Sequence, residues 1–157
     1  MLAVIAAAIA VHASAAGAAR CSEKSIRVLP PATQGTATQA LATISVRNLG
    51  PACRIDETLT FSVLRRGARL TSIGGNPLRV RIVGTFAHGT TALINAWWAN
   101  WCGVRDSLTA HAAIGTASAS SRYAVLPVCL EHSAPSKLTF VRQGGSRPAW
   151  AAAIRVR

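Results

Sequence analysis

The sequence predicts an all-β protein: an antiparallel sandwich of about eight short strands, closed by two disulfides. Three observations carry this reading. Apolar and polar residues alternate with period two along most of the chain, turn signals built from Gly, Pro and Asn recur at short intervals, and no stretch of the body repeats apolar residues at helical spacing. The four cysteines, Cys21, Cys53, Cys102 and Cys129, form an even set.

At 157 residues the chain has room for one domain with a real core. Residues 1–18 read as a signal peptide. Met1 to Val11 is an apolar run, too short for a membrane span of about 20 residues, and Ala13-Ser14-Ala15 and Ala16-Gly17-Ala18 are two A-x-A cleavage candidates. No Lys or Arg precedes the run. The expected location is secreted or cell envelope, with no integral membrane span in the mature chain. Cys21 raises a lipoprotein alternative; Arg20 argues against it, because that processing wants a small residue before the cysteine.

In an oxidising compartment the even cysteines imply two disulfides. Four cysteines admit three pairings. Cys21–Cys53 with Cys102–Cys129 is favoured, since each joins segments that can be neighbours. A zinc site is poorly supplied: no two cysteines stand as C-x-x-C, and His88, His111 and His132 show no paired ligand spacing with one another. No metal and no cofactor is expected.

The elements follow in order. Ile26 and Val28 alternate with Arg27 in a strand ending at Pro30-Pro31, and a polar link, Ala32 to Gln39, follows. Ala42, Ile44 and Val46 define the next strand, ended by Asn48-Leu49-Gly50-Pro51. Leu59, Phe61 and Val63 lead to a hairpin tip at Arg65-Arg66-Gly67-Ala68, with a return over 69–73. Leu78, Val80 and Ile82 alternate with Arg79 and Arg81, and residues 86–89 turn. Thr90 to Cys102 is the longest strand candidate. Its apolar groups fall on both sides, which implies either burial of both faces or a bulge near Asn100 that redirects Trp101. Leu108, Ala110, Ala112 and Ile114 mark a strand, 115–121 reads as a small polar loop, 122–128 runs as a strand into Cys129, and 137–141 is the last strand. The sandwich is thus placed at 21–142, with 143–157 a basic tail in preference to a short helix.

Seventeen Lys plus Arg against five Asp plus Glu give a formal charge of +12. Such a balance favours anionic partners: nucleic acid, or an anionic envelope polymer. All the cations but Lys24 and Lys137 are arginine, and they are spread singly, with Arg65-Arg66 the one adjacent pair. With so much alanine, this also fits the codon usage of a GC-rich genome.

Catalytic constellations are weak. Ser107, His111 and Asp106 lie too close along one strand to converge as a triad, and no G-x-S-x-G elbow is present. Asp56 and Glu57 are adjacent, so a strand points them to opposite faces. Trp97 is the residue that folding leaves unexplained. If Trp98 fills the core, Trp97 projects outward, and beside Arg79 or Arg81 it would be a candidate ligand platform; packing beneath a loop or against Trp150 is the competing reading.

Trp98-x-Asn100-Trp101-Cys102-Gly103, the Asn48-Leu49-Gly50-Pro51-x-Cys53 turn before it, and Pro127-x-Cys129 and Pro135-Ser136-x-Leu138 after it form a recognisable series. Over roughly Cys21 to Val141 it resembles an uncharacterised family of secreted actinobacterial proteins with a W-x-N-W-C motif, a domain of unknown function. The resemblance implies an immunoglobulin-like sandwich in the envelope or outside the cell, and no activity. The arginine-rich tail has no counterpart in it. The expected function is that of an exported, non-enzymatic module with a binding or structural role in the cell envelope, its partner a polymer or another envelope protein; the alternative is a cationic protein that binds nucleic acid or an anionic polymer.

Overall fold

The computed structural model describes residues 18–36 and 38–141, together with the strand at 154–156. The proposed leader lies outside the described residues. Ten strands follow in chain order: β1 (Ile26–Gly35), β2 (Gln39–Asn48), β3 (Cys53–Arg65), β4 (Ala68–Arg69), β5 (Leu78–Phe86), β6 (Thr91–Ala99), β7 (Leu108–Ile114), β8 (Ala117–Arg122), β9 (Lys137–Val141) and β10 (Ile154–Val156). They form two antiparallel sheets, one ordered β1-β2-β6-β9 and the other β10-β5-β3-β7-β8, with β4 paired to β3. The fold is all-β, as the alternation implies. Strands β1, β2 and β6 facing β3, β7 and β8 reproduce the immunoglobulin-like arrangement; β5 has joined β3, and β9 extends the first sheet in its stead.

The core is the interdigitation of the two inner faces. Trp98, Phe61, Phe86, Ile44, Ile82, Leu59 and Leu108 are fully buried. Large rings sit beside small neighbours. Trp98 is flanked in register by Ala40 and Leu138, and Phe61 by Leu78 and Ala112. The alanines therefore have a packing role: they clear the space that an indole and a phenyl fill. Truncating Trp98 to Ala would leave a cavity and cost about 3–5 kcal/mol.

Several expectations need correction. The link expected over Ala32 to Gln39 is shorter than that, since Ala32–Gly35 is strand: β1 resumes pairing with β2 at Ala32 after a register shift, because a bulge absorbs the residues whose prolines lack a donor. The return strand after the hairpin is only Ala68–Arg69. The polar loop expected at 115–121 contains β8, which pairs with β7 along its length through a turn at Gly115, φ 54°. Its Ala and Ser residues differ too little in polarity for alternation to show. The strand expected at 122–128 is absent, and the described chain from Tyr123 to Ser136 has no strand. The basic tail is amended too: Ile154–Val156 pairs antiparallel with Ile82–Gly84, since the edge of β5 offers unpaired backbone groups to an extended segment.

Candidate functional site

Both disulfides form in the favoured pairing, Cys21–Cys53 and Cys102–Cys129. Neither joins β2 to β7 through the core, as the bridge of antibody domains does. They sit at opposite poles of the sandwich. Cys53 opens β3 beside the β2–β3 turn, whereas Cys102 follows the far end of β6, where Ala99 pairs with Gln39. Cys21 is held by its amide to the Arg54 carbonyl, and its sulfur is committed to Cys53, which removes it from acylation.

Each pole is organised by a buried asparagine. At the first, Asn48 is fully buried. Its Nδ2 donates to the carbonyls of Pro51 (2.8 Å) and Phe86 (2.9 Å), and its Oδ1 accepts from Gly50 N (2.9 Å). One carboxamide thus satisfies backbone groups of two turns that the sandwich end would otherwise bury unpaired. His88 completes this end, its Nδ1 lying 2.9 Å from the Gly50 carbonyl oxygen.

At the second pole Asn100 takes a left-handed conformation, φ 54°, and ends β6. This reversal turns Trp101 back toward the core, 5.3 Å from Trp98 between ring centroids. Burial of both faces is not what occurs, since Leu93 is exposed and Trp97 half-buried; Trp101 is redirected at Asn100 as expected, but by a left-handed corner after the end of β6 and not by a bulge within it. The Asn100 carboxamide then clamps a distant segment: Nδ2 donates to the Glu131 and Ala134 carbonyls (2.9 and 2.6 Å), and Oδ1 accepts from the amides of Leu130 (2.9 Å) and Glu131 (3.2 Å). Cys102–Cys129 ties the same two segments covalently.

Between residues 105–107 and 122–126, parts of the chain that these segments carry, lies an open cleft of about 710 Å³ lined in part by Arg105, Asp106, Arg122, Tyr123 and Val125. Its polar groups are mostly engaged with one another. Arg65 donates from Nε to Asp106 Oδ2 at 2.8 Å, and Arg122 hydrogen-bonds Ser107. Among the described residues neither Arg105 nor Arg122 has a carboxylate partner. Tyr123 is buried edge-on against Trp98, ring centroids 5.2 Å apart. Its hydroxyl finds no hydrogen-bond partner among the described residues, and burial raises its pKa above the usual phenol value. Among the described residues, four of the seven large hydrophobic side chains that stand exposed, Val104, Val125, Val128 and Leu130, belong to the two segments that the bridge ties, and Val125 lines the cleft itself.

The residues singled out in the sequence fall apart in space. Trp97 does project outward, half-buried, on β6 of the first sheet, paired in register with Leu41 and Thr139. Arg79 and Arg81 point outward from β5 of the other sheet. The two sets occupy opposite outer faces, so no single platform combines them. Arg81 is instead held by a bidentate pair to Asp56 (2.7 and 2.9 Å). That hydrogen bond lowers the Asp56 carboxyl below its ordinary value and raises the Arg81 guanidinium. Ser107, His111 and Asp106 do not converge: Ser107 meets Arg122, His111 meets Ser120 (2.8 Å) and Asp106 meets Arg65. The cations divide between both outer faces. Arg54, Arg69, Arg79, Arg81 and Arg122 lie on the outer face of the second sheet and Arg27, Arg47 and Lys137 on that of the first.

One grouping was missed in the sequence. His132 places its ring nitrogens 3.8 and 3.9 Å from Cys129 Sγ, and Cys102, Cys129 and His132 bring their ligand atoms within 4.8 Å of one another. The signal was Cys129-Leu130-Glu131-His132, a C-x-x-H spacing. With the sulfurs bonded to each other, no thiolate is available to a metal.

The fold and its bridged poles define the class: an immunoglobulin-like, disulfide-bonded β-sandwich. Compared with family models, with curated proteins and with solved structures, the chain matches none. Among the described residues no helix is long and apolar enough to cross a membrane.

Proposed function

We propose that this chain is an exported, non-enzymatic module of the cell envelope whose role is binding, and that it binds through the Cys102–Cys129 pole. The observation that carries the reading is the concentration of exposed Val104, Val125, Val128 and Leu130 in the two segments that Cys102–Cys129 ties, beside a cleft lined by Arg105 and Arg122, neither of which has a carboxylate partner among the described residues. Isolated exposed hydrophobics need no explanation, but a cluster of them with cations at its edge is the composition of an interaction surface. The fitting partner is another envelope component that presents acidic groups beside apolar ones. Two disulfides, an A-x-A leader and the likeness to secreted actinobacterial proteins support export. The dispersal of Ser107, His111 and Asp106 to separate partners supports a non-enzymatic role.

Two measurements test this. The protein recovered from the culture medium or envelope should have a mass four hydrogens below its reduced chain; recovery only from the cytoplasm would end the export reading. Sedimentation with purified wall polymer and with anionic lipid vesicles should then show retention that falls in Arg105→Ala/Arg122→Ala and in Leu130→Ser. Equal retention of all variants would remove this pole as the binding surface.

A second reading, a cationic protein that binds nucleic acid or an anionic polymer through a whole face, has one observation in its favour. On the outer face of the second sheet Asp56 is the one carboxylate among the described residues, and Arg81 already holds it. That reading requires affinity to fall steeply with salt and to depend on Arg79 and Arg69 more than on Leu130.

A further inference from the structure

We infer that Cys102–Cys129 is a thiol-exchangeable bridge with a built-in polarity, in which Cys102 is the sulfur attacked and Cys129 the sulfur released. The two sulfurs have opposite surroundings. Cys102 is exposed, and its Sγ lies 3.6 Å from two acceptors, Asn100 Oδ1 and the Glu131 carbonyl oxygen. Acceptors disfavour negative charge on that sulfur and suit a thiol, whose S–H can donate to them. Cys129 Sγ instead has the exposed His132 imidazole beside it, both ring nitrogens within 3.9 Å, and a small rotation of this surface side chain brings an N–H onto a sulfur that becomes anionic. In thiol–disulfide exchange the better-stabilised thiolate is the better leaving group. At the other bridge Cys21 is half-buried and its partner Cys53 is a core residue, 6% exposed, with no imidazole in contact with either sulfur among the described residues.

The co-reactant is a low-molecular-weight thiol or a dithiol protein. Its thiolate attacks Cys102 Sγ, forming an R–S–S–Cys102 mixed disulfide as the Sγ–Sγ bond breaks and the electron pair leaves on Cys129, where the His132 N–H supports it. A second thiolate attacks the R sulfur of that adduct and releases R–S–S–R, and Cys102 takes a proton from water. Two external thiols are oxidised to one disulfide and the protein bridge gains two electrons. The exchange is stoichiometric, and it is independent of what the pole binds.

The test uses the oxidised full chain with glutathione, quenched by alkylation and mapped by mass spectrometry. The expected first product carries glutathione on Cys102 and the alkyl group on Cys129, with Cys21–Cys53 intact. His132→Ala should slow its formation about three- to tenfold, the worth of one hydrogen bond to the leaving sulfur, with no change in melting temperature. His132→Gln, whose amide still donates, should recover part of the rate, and His111→Ala should leave the rate at the parent value. Opening of both bridges at one rate, glutathione on Cys129, or an unchanged rate in His132→Ala would each overturn the inference.

Discussion

The two poles are built from the same parts and put them to different uses. Each has one disulfide and one buried asparagine, with the asparagine close to a half-cystine: Asn48 Nδ2 is 3.5 Å from Cys53 Sγ, and Asn100 Oδ1 is 3.6 Å from Cys102 Sγ. At the first pole the carboxamide closes short turns against the core, and Cys53 is itself a core residue. At the second it fastens a long strandless segment to the end of β6, outside the two sheets, and leaves Cys102, His132 and the side chains of Val128 and Leu130 exposed. Both asparagines are buried, as are Trp101 and Tyr123 at the second pole; the poles differ in what the asparagine holds, short turns at the first and a long segment without strand at the second.

Removing the bridges separates the poles most strongly. In chain-entropy terms the two loops are nearly equal, with separations of 32 and 27 residues, and each is worth about 3–4 kcal/mol. Cys21→Ala/Cys53→Ala should nonetheless be the costlier pair in denaturant melts, because it also opens a void in the core. Equal losses would show that loop closure alone accounts for both.

The asparagines come next. Asn48→Ala strands the buried carbonyl of Phe86 and the partly buried one of Pro51 and should cost about 2–3 kcal/mol. Asn100→Ala, at a partly solvated end, should cost about half as much in melts yet raise amide exchange across 128–134 well above that at the first pole.

Tyr123 is the chain's single tyrosine, so its titration can be followed by absorbance. Its folded pKa is raised by burial. The stability linked to it is therefore complete below the unfolded value, near pH 10, and is lost as pH climbs above that. Tyr123→Phe should flatten this alkaline loss. By removing an unpaired buried hydroxyl it should also leave neutral-pH stability unchanged or up to about 1 kcal/mol higher.

The smallest effect belongs to Asp56, toward the first pole. Its carboxyl is lowered by Arg81, so its contribution is present above the unfolded carboxylate value, about 4, and is lost as pH falls below it through the folded value. Asp56→Asn should slightly shallow the acid limb of a stability-versus-pH curve, and the Tyr123 variant should leave that limb untouched.

The fold was legible where polarity contrast is large. Leu78 to Ile82 and Ala42 to Val46 alternate plainly, and both are strands. Ala117 to Arg122 alternates alanine with serine, which differ little in transfer free energy, and its pairing with β7 could not be seen locally. The redirection at Asn100 was foreseeable from Trp97, Trp98 and Trp101 sharing one short run; the identity of its clamped partners was not, because Glu131 and Ala134 lie some thirty residues on. Trp97 and Arg79 invite pairing because both face outward. Which sheet each strand joins is a long-range property, and it put them on opposite sides.

Gly103 makes the tryptophan-rich run a single geometric unit. A side chain there would begin 2.3 Å from the Trp101 ring, so any larger residue at 103 would push the folded-back ring out of place. Within Trp98-x-Asn100-Trp101-Cys102-Gly103 every fixed letter answers to a separate structural need. The run supplies one ring in the core, one left-handed corner, one ring folded back, one half-cystine and one position without a Cβ.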